Sequence, residues 1–181
     1  MKGSDFIASH LQSIGVDTSF VLTGGCIIHF IDSLATTQGI NYIPMLHEQS
    51  CAMAADAYAR VTGNIGVTAT TSGPGATNLL TGLCCSYYDS VPVLHITGQV
   101  HSSKLKGSLN TRQFGFQETD VVSIYKSVTK YCAQINKPEH LQDELNKAIS
   151  IATSGRKGPV LLDITEDVLY SNFVPLSLIH I

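Results

Sequence analysis

The chain has 181 residues, about the size of one domain, and its 44% hydrophobic content suits a folded core. Lys plus Arg number 11 and Asp plus Glu 14, a formal charge of −3 with no run of one sign, which argues against a nucleic-acid or anionic-membrane binder. Charged residues make up only 14%, against about 25% in ordinary soluble domains, so part of the surface is expected to be covered by another partner.

In chain order, Ser4 is placed to cap a first helix with an apolar stripe of Phe6, Ile7, Leu11 and Ile14 and a stop at Gly15. Ser19–Leu22 reads as a strand, and Thr23-Gly24-Gly25 as a turn into a helix over Ile27–Thr36. Ile40–Met45 is the next strand, His47–Val61 an Ala-rich helix stopped near Gly63, and Gly66–Thr71 a strand. Ser72-Gly73-Pro74-Gly75 turns the chain into a helix over Ala76–Tyr88, and Pro92–Thr97 is a buried strand. Gly98–Gln117 shows no sustained period and reads as one long loop, a length that is usually functional inside a compact domain. A helical stretch at Thr119–Tyr125, a strand at Thr129–Ile135, a helix over Glu139–Thr153 and a strand at Val160–Ile164 complete the pattern.

Strands separated by helices, with cores such as Val93-Leu94-His95-Ile96 that are apolar on both faces, predict a doubly wound α/β domain. Its sheet is expected to be mainly parallel, of about six strands, with helices on both faces. Ligands in such sheets bind beyond the carboxyl ends of the strands, which directs attention to Thr23–Gly25, Leu46–Glu48, Thr71–Asn78 and the long loop. No stretch approaches the roughly 18 apolar residues of a membrane span, and the N-terminus lacks an apolar signal core, so the chain reads as cytoplasmic. The cysteines Cys26, Cys51, Cys84, Cys85 and Cys132 are odd in number and lack CxxC spacing, so they read as small buried apolar residues.

Thr71 to Asn78 follows a strand and opens a helix, so its N–H groups could cradle an anion or a polar ring; a tight turn without any ligand is the competing reading. Asn78 replaces the third Gly of a dinucleotide fingerprint, and no Lys follows the turn as in a P-loop. Glu48 is the lone acid between Ile40 and Ala55, set among Ile43, Met45, Leu46, Cys51 and Met53. Buried there it would suit general acid–base work, although Glu in the first turn of a helix is also favoured by the helix dipole alone. His47 and Cys51 share a helix face, but no second His follows as in HExxH, so no metal site is assigned.

Several motifs stand in order along the chain: Gly24-Gly25, His47-Glu48-Gln49, Ala57-Tyr58-Ala59-Arg60 with Gly63, Thr71 to Asn78, Asp89-Ser90-Val91-Pro92, Thr97-Gly98-Gln99-Val100, Phe116-Gln117-Glu118, Thr129-Lys130 and Gly155 to Val160. On these the sequence, from Ser4 to about Val168, resembles the N-terminal pyrimidine-binding domain of thiamine-diphosphate-dependent enzymes, most closely the acetolactate synthase (acetohydroxyacid synthase) large-subunit group. Thr23, Cys26 and a longer loop after Val100 depart from that group's usual pattern.

The resemblance implies that Glu48 is the catalytic glutamate, which hydrogen-bonds N1′ of the aminopyrimidine so that the cofactor can decarboxylate a 2-keto acid and transfer the acyl-anion equivalent. It places Gly24, Gly25, Pro74 and Asn78 beside the pyrimidine, and Phe116 and Gln117 at the reacting end of cofactor and substrate, with Gln117 sharing in catalysis. It implies thiamine diphosphate, with Mg2+ held by a separate domain whose GDG motif is absent here, and it leaves FAD open. It implies a second subunit of the same protein, a homodimer or tetramer, as partner, and branched-chain amino acid biosynthesis as the setting. Residues 1–175 are then expected to be this domain as a fragment, inactive alone. Leu176 to Ile181, which match the translation of a sequencing adaptor, are expected to be a non-native tail. Two other readings remain: a dinucleotide-binding α/β domain of an oxidoreductase built on Gly73-Pro74-Gly75, and a non-catalytic ligand-binding module.

Overall fold

The computed structural model of the chain describes residues 1–175, and the expected tail, residues 176–181, lies outside the described residues. In chain order the elements are α1 (Gly3–Ser13), β1 (Thr18–Val21), α2 (Ile28–Thr36), β2 (Asn41–Pro44), α3 (Glu48–Thr62), β3 (Gly66–Thr70), α4 (Pro74–Thr77), α5 (Leu80–Asp89), β4 (Val93–Gln99), α6 (Val121–Tyr125), β5 (Tyr131–Ile135), α7 (Leu141–Thr153), β6 (Val160–Thr165) and α8 (Glu166–Tyr170). Short 3₁₀ turns at Gly25–Ile27, Ser102–Lys104 and Pro138–His140 precede α2, follow β4 and precede α7. No helix among the described residues is long and apolar enough to cross a membrane.

Six strands, all parallel, form one sheet in the order β2-β1-β3-β4-β6-β5. Successive side chains point to opposite faces. On one face Val21, Val67, Ala69, Leu94, Ile96, Leu162 and Ile164 pack against α1, α2, α7 and α8. On the other, Phe20, Val93 and Leu161 meet α3, α4, α5 and α6. Steps toward the β2 edge or from β5 back to β6 use helices on the first face, and steps in the opposite direction use the second, as one crossover handedness requires. The doubly wound parallel α/β fold read from the sequence is the fold observed.

The second face is less apolar than its buried position suggests. Thr68, Thr70, His95, Thr97 and Asp163 all lie there, each fully buried. Thr68 Oγ1 is 2.9 Å from His95 Nδ1, and Thr97 Oγ1 donates to Asp163 at 2.7 Å. Burial pushes the Asp163 carboxyl up and lowers the His95 imidazole to about 3.

Several local expectations are corrected. Ser4 lies inside α1, where its Oγ accepts from Ser33 at 2.8 Å, and the helix is capped instead by Asp5, whose carboxylate accepts the Lys2 N–H at 2.9 Å. Ile14 leaves the core stripe because α1 has ended at Ser13, and it is exposed. The single helix expected over Ala76–Tyr88 is two, α4 and α5. The buried Tyr125 hydroxyl donates to the Ala76 carbonyl at 2.6 Å, and Leu79 N–H turns to the same oxygen, so the regular ladder is interrupted there. β4 extends through Gln99, so the long loop starts at Val100. The helix α8 was not expected, because only Thr165-Glu166-Asp167 signals its start. Cys51 is buried, but Cys85 is exposed and Cys26, Cys84 and Cys132 are intermediate.

The buried imidazole sets a pH dependence. His95 stays neutral in the folded chain down to about 3, whereas an unfolded His takes up its proton near 6.5. Below about 6.5 the unfolded state therefore binds the extra proton, and stability falls by about 1.4 kcal/mol per pH unit from this group until pH reaches about 3. Urea unfolding of the parent and of His95→Gln between pH 7 and pH 4 should show this slope in the parent and its loss in the variant.

Candidate functional site

The strand order reverses between β1 and β3, because β1 is followed outward by β2 while β3 starts the run in the other direction. The chain leaving β1 and the chain leaving β3 thus enter helices on opposite faces, which is where sheets of this kind form their ligand crevice. Gly24 forms one wall: extended backbone there passes so close to Thr71 that a Cβ on Gly24 would lie 2.5 Å from the Thr71 Cβ. Gly25 points its missing side chain into open space. Ser72 Oγ donates to Cys26 Sγ at 3.4 Å, tying the two turns together.

Glu48 comes from the neighbouring turn, after β2, as the first residue of α3. His47 caps this helix, its Nδ1 accepting the Gln49 N–H at 3.1 Å. The Glu48 residue is 7% exposed, and its Oε2 accepts from Asn78 Nδ2 at 2.9 Å. Oε1 faces Gly75, at 3.4 Å from where a Cβ would stand, and has no hydrogen-bond partner among the described residues. Burial, followed by the Glu48 charge, pushes the Cys51 thiol up to about 12, so Cys51 is not a nucleophile at neutral pH.

The long loop closes the other side. Gln117 has φ +61, unusual for a residue with a side chain, and its Cβ and carbonyl lie against Gly73. A Cβ on Gly73, itself at φ +59, would stand 2.8 Å from the Gln117 Cβ. Beside this contact a cleft of about 440 Å³ opens, lined by Cys26, Val100, Lys104, Phe114, Phe116 and Glu166 among others. The Lys104 ammonium lies 5.5 Å from the centre of the Phe114 ring.

The structure therefore brings Gly24, Glu48, Asn78 and Gln117 together around the turn from Thr71 to Asn78. Gly25 and Pro74 lie at its exposed rim, and Phe116 is 81% exposed beside it. Other sequence motifs gather at the opposite end of the sheet. Arg60 pairs with Asp56 at 2.5 Å and with Asp89 at 2.7 Å, and Arg156 Nε donates to Ser90 Oγ at 2.7 Å. Those residues join the ends of α3 and α5 to the approach to β6 and take no part in the crevice.

Sequence reasoning missed the carboxylates that shape the loop. Asp167 accepts from the Ser102 N–H at 2.9 Å and from its hydroxyl at 2.6 Å. Glu118 accepts the N–H groups of Lys106 and Phe114 at 2.7 and 2.8 Å. Gln99 and Asp163 were also missed, although a lone acid within Val160-Leu161-Leu162-Asp163-Ile164 was a legible sign of a buried polar contact.

A family model described as thiamine pyrophosphate enzyme, N-terminal TPP binding domain, matches residues 1–124. The acetolactate synthase large subunit of Haemophilus influenzae is 39% identical over 173 residues, covering 96% of this chain and 29% of that protein. The probable acetolactate synthase large subunit of Methanocaldococcus jannaschii is 42% identical over 168 residues, 93% of this chain and 27% of that protein. The isozyme 3 large subunit of Escherichia coli acetolactate synthase is 37% identical over 169 residues, 93% of this chain and 28% of that protein. The chain thus spans less than a third of the length of these relatives.

The close approach of the two turns makes a measurable claim. Gly73→Ala should cost about 1–3 kcal/mol, because its Cβ has no space and its φ is left-handed. Gln117→Gly should stay within about 1 kcal/mol of the parent, since relief of the left-handed backbone offsets the greater freedom of Gly when unfolded. Urea denaturation of both variants checks this, and a Gly73→Ala chain as stable as the parent would contradict the packing.

Proposed function

The chain belongs to the family of thiamine pyrophosphate enzyme N-terminal TPP-binding domains, and on that premise we propose that residues 1–175 are the pyrimidine-binding domain of a longer, acetolactate-synthase-like enzyme. The observation that carries the reading is the Glu48 carboxylate, 7% exposed, with one oxygen held by Asn78 and the other beside Gly75 without a hydrogen-bond partner among the described residues.

The residues fit an aminopyrimidine. The Thr71 side chain takes up the space beside Gly24 and Gly75, so these turns pack closely without side chains of their own, and Glu48 Oε1, 3.4 Å from the Gly75 Cβ position, offers a carboxyl group for a ring nitrogen. When bound, thiamine diphosphate supplies the electron sink for decarboxylating a 2-keto acid. Glu48 would exchange a proton with the ring nitrogen through Oε1. Asn78 would keep Oε2 occupied, so that the free oxygen stays available to the ring nitrogen. Pro74 fixes the start of the turn, while Gly25, Phe116 and Gln117 would bound the cofactor and its substrate.

The crevice disfavours a dinucleotide. Among the described residues that form it, Gly24, Thr71, Gly73, Gly75, Asn78 and Gln117 bring no cation, Glu48 is an acid, and α4 is only four residues long. A pyrophosphate on Gly73-Pro74-Gly75 would face that negative charge without a compensating one. We assign the diphosphate and Mg2+ to a part of the longer protein outside this chain. Leu46, fully exposed just before Glu48, and Phe116, 81% exposed, are apolar surface beside the site that the rest of the protein and a second subunit would cover.

Glu48→Gln tests the assignment in the full-length enzyme. Loss of the carboxylate should lower thiamine-diphosphate-dependent turnover of a 2-keto acid by about 10²–10⁴-fold, while urea unfolding of the corresponding chain changes little. Turnover equal to the parent's would remove Glu48 from the mechanism.

A further inference from the structure

Residues 100–120 connect β4 to α6 without an α-helix or strand, yet they deliver Gln117 to one defined place against Gly73. A single side chain fastens both ends of this loop. Gln99, the last residue of β4 and fully buried, accepts the Val100 N–H on Oε1 at 3.0 Å. Its Nε2 donates to the Thr119 carbonyl at 2.9 Å and to Asp163 Oδ2 at 2.9 Å.

Asp163 is the base of the arrangement. Also fully buried, it accepts in addition from Thr97 Oγ1 at 2.7 Å and from Gln134 Nε2 at 3.0 Å, so strands β4, β5 and β6 all converge on it. The carboxylate fixes which way the Gln99 amide points, because Nε2 must face the acceptor. Oε1 is then left for the first N–H of the loop, and the second Nε2 hydrogen for its last carbonyl. A buried network whose members are all satisfied holds one geometry, and a half-satisfied one is costly, so the amide has no equivalent flipped state.

We propose that Gln99 and Asp163 are positioning residues: their buried clasp brings the two feet of the 100–120 loop together and so holds Gln117 against the Gly73 turn at the cofactor's reacting end. The role in catalysis rests on the proposed function, whereas the clasp rests on hydrogen bonds alone. Glu118 and Asp167 brace the middle of the loop by accepting its N–H groups, but neither joins its two ends.

The control is built in. Gln134 also donates to Asp163, but it lies on β5 and makes no hydrogen bond to the loop among the described residues. Gln99→Ala and Gln134→Ala each remove one donor from the same carboxylate, and only the first releases the loop. In hydrogen exchange on this chain, the amides of Val100, Lys106 and Phe114 should exchange about tenfold faster in Gln99→Ala than in Gln134→Ala at matched thermal stability. In the full-length enzyme, Gln99→Ala should lower kcat about tenfold, with thiamine diphosphate affinity changed less than about twofold, because Glu48 and Asn78 are not fastened by the clasp. Gln99→Asn, one methylene shorter, should show the same split and serves if the Ala variant does not fold. Equal loop exchange in the two variants, or an equal loss of kcat, would overturn the proposal. The exchange measurement needs no cofactor, so its failure sinks the clasp alone, and an inert Glu48→Gln sinks the cofactor reading alone.

Discussion

Parallel pairing of β1 with β2 on one side and β3 on the other is the constraint from which the site follows. β1 crosses over toward β2 and β3 crosses over in the opposite direction toward β4, so with one crossover handedness their chains leave on opposite faces of the sheet. The turns after β1 and β3 nevertheless pack against each other where they leave the sheet. That is why the structure needs Gly24 where the backbone grazes Thr71. The turn after β2 lies next to them, and a carboxylate at the start of α3 faces Gly75. The helix dipole favours an anion at that position and adds to what Asn78 contributes by its hydrogen bond.

The two faces of the sheet divide the work. One is an apolar core of Val, Ile and Leu against α1, α2, α7 and α8, where each buried side chain contributes about 1.5–3 kcal/mol. The other gives up part of that contribution to Thr68, Thr70, His95, Thr97 and Asp163, which lie under α3 to α6. Polar groups there cost desolvation but accept only a few partners and few geometries. Such a layer is suited to fixing where turns and loops emerge. Asp163 is its clearest member, because burial disfavours its charge while donors from β4 and β5 offset that burden.

The alternation of strands and helices was legible because strands flanked on both sides read as apolar runs, as in Val93 to Ile96, and because Pro74 and Gly63 mark turns by their backbone preferences. Glu48 stood out as the one acid in an apolar stretch. What could not be read were features set by distant partners. The break after Thr77 comes from Tyr125, nearly fifty residues on, and Ser4 lost its capping role to Asp5 because Ser33 of another helix draws the Ser4 hydroxyl inward. The same holds for Gln99: next to Val100 it is an ordinary polar residue, and only the folded sheet brings Asp163 and Thr119 to it.

Gln117 shows how the site and the fold constrain each other. A side chain at φ +61 is disfavoured by about 1 kcal/mol or more, and local sequence gives no compensation, since no Gly or Asn occupies the position. The strain persists because the loop has no alternative path. Gln99 holds its ends, Glu118 binds two of its N–H groups, and Gly73 leaves only enough room for the Gln117 Cβ and carbonyl to approach. A loop fixed in this way forms a wall whose position is set before any ligand arrives, so binding energy need not be spent on ordering it. The buried carboxylate of Asp163 and the left-handed backbone of Gln117 are then two ends of one arrangement: the first stabilises the clasp, and the second is the conformation that the clasp imposes.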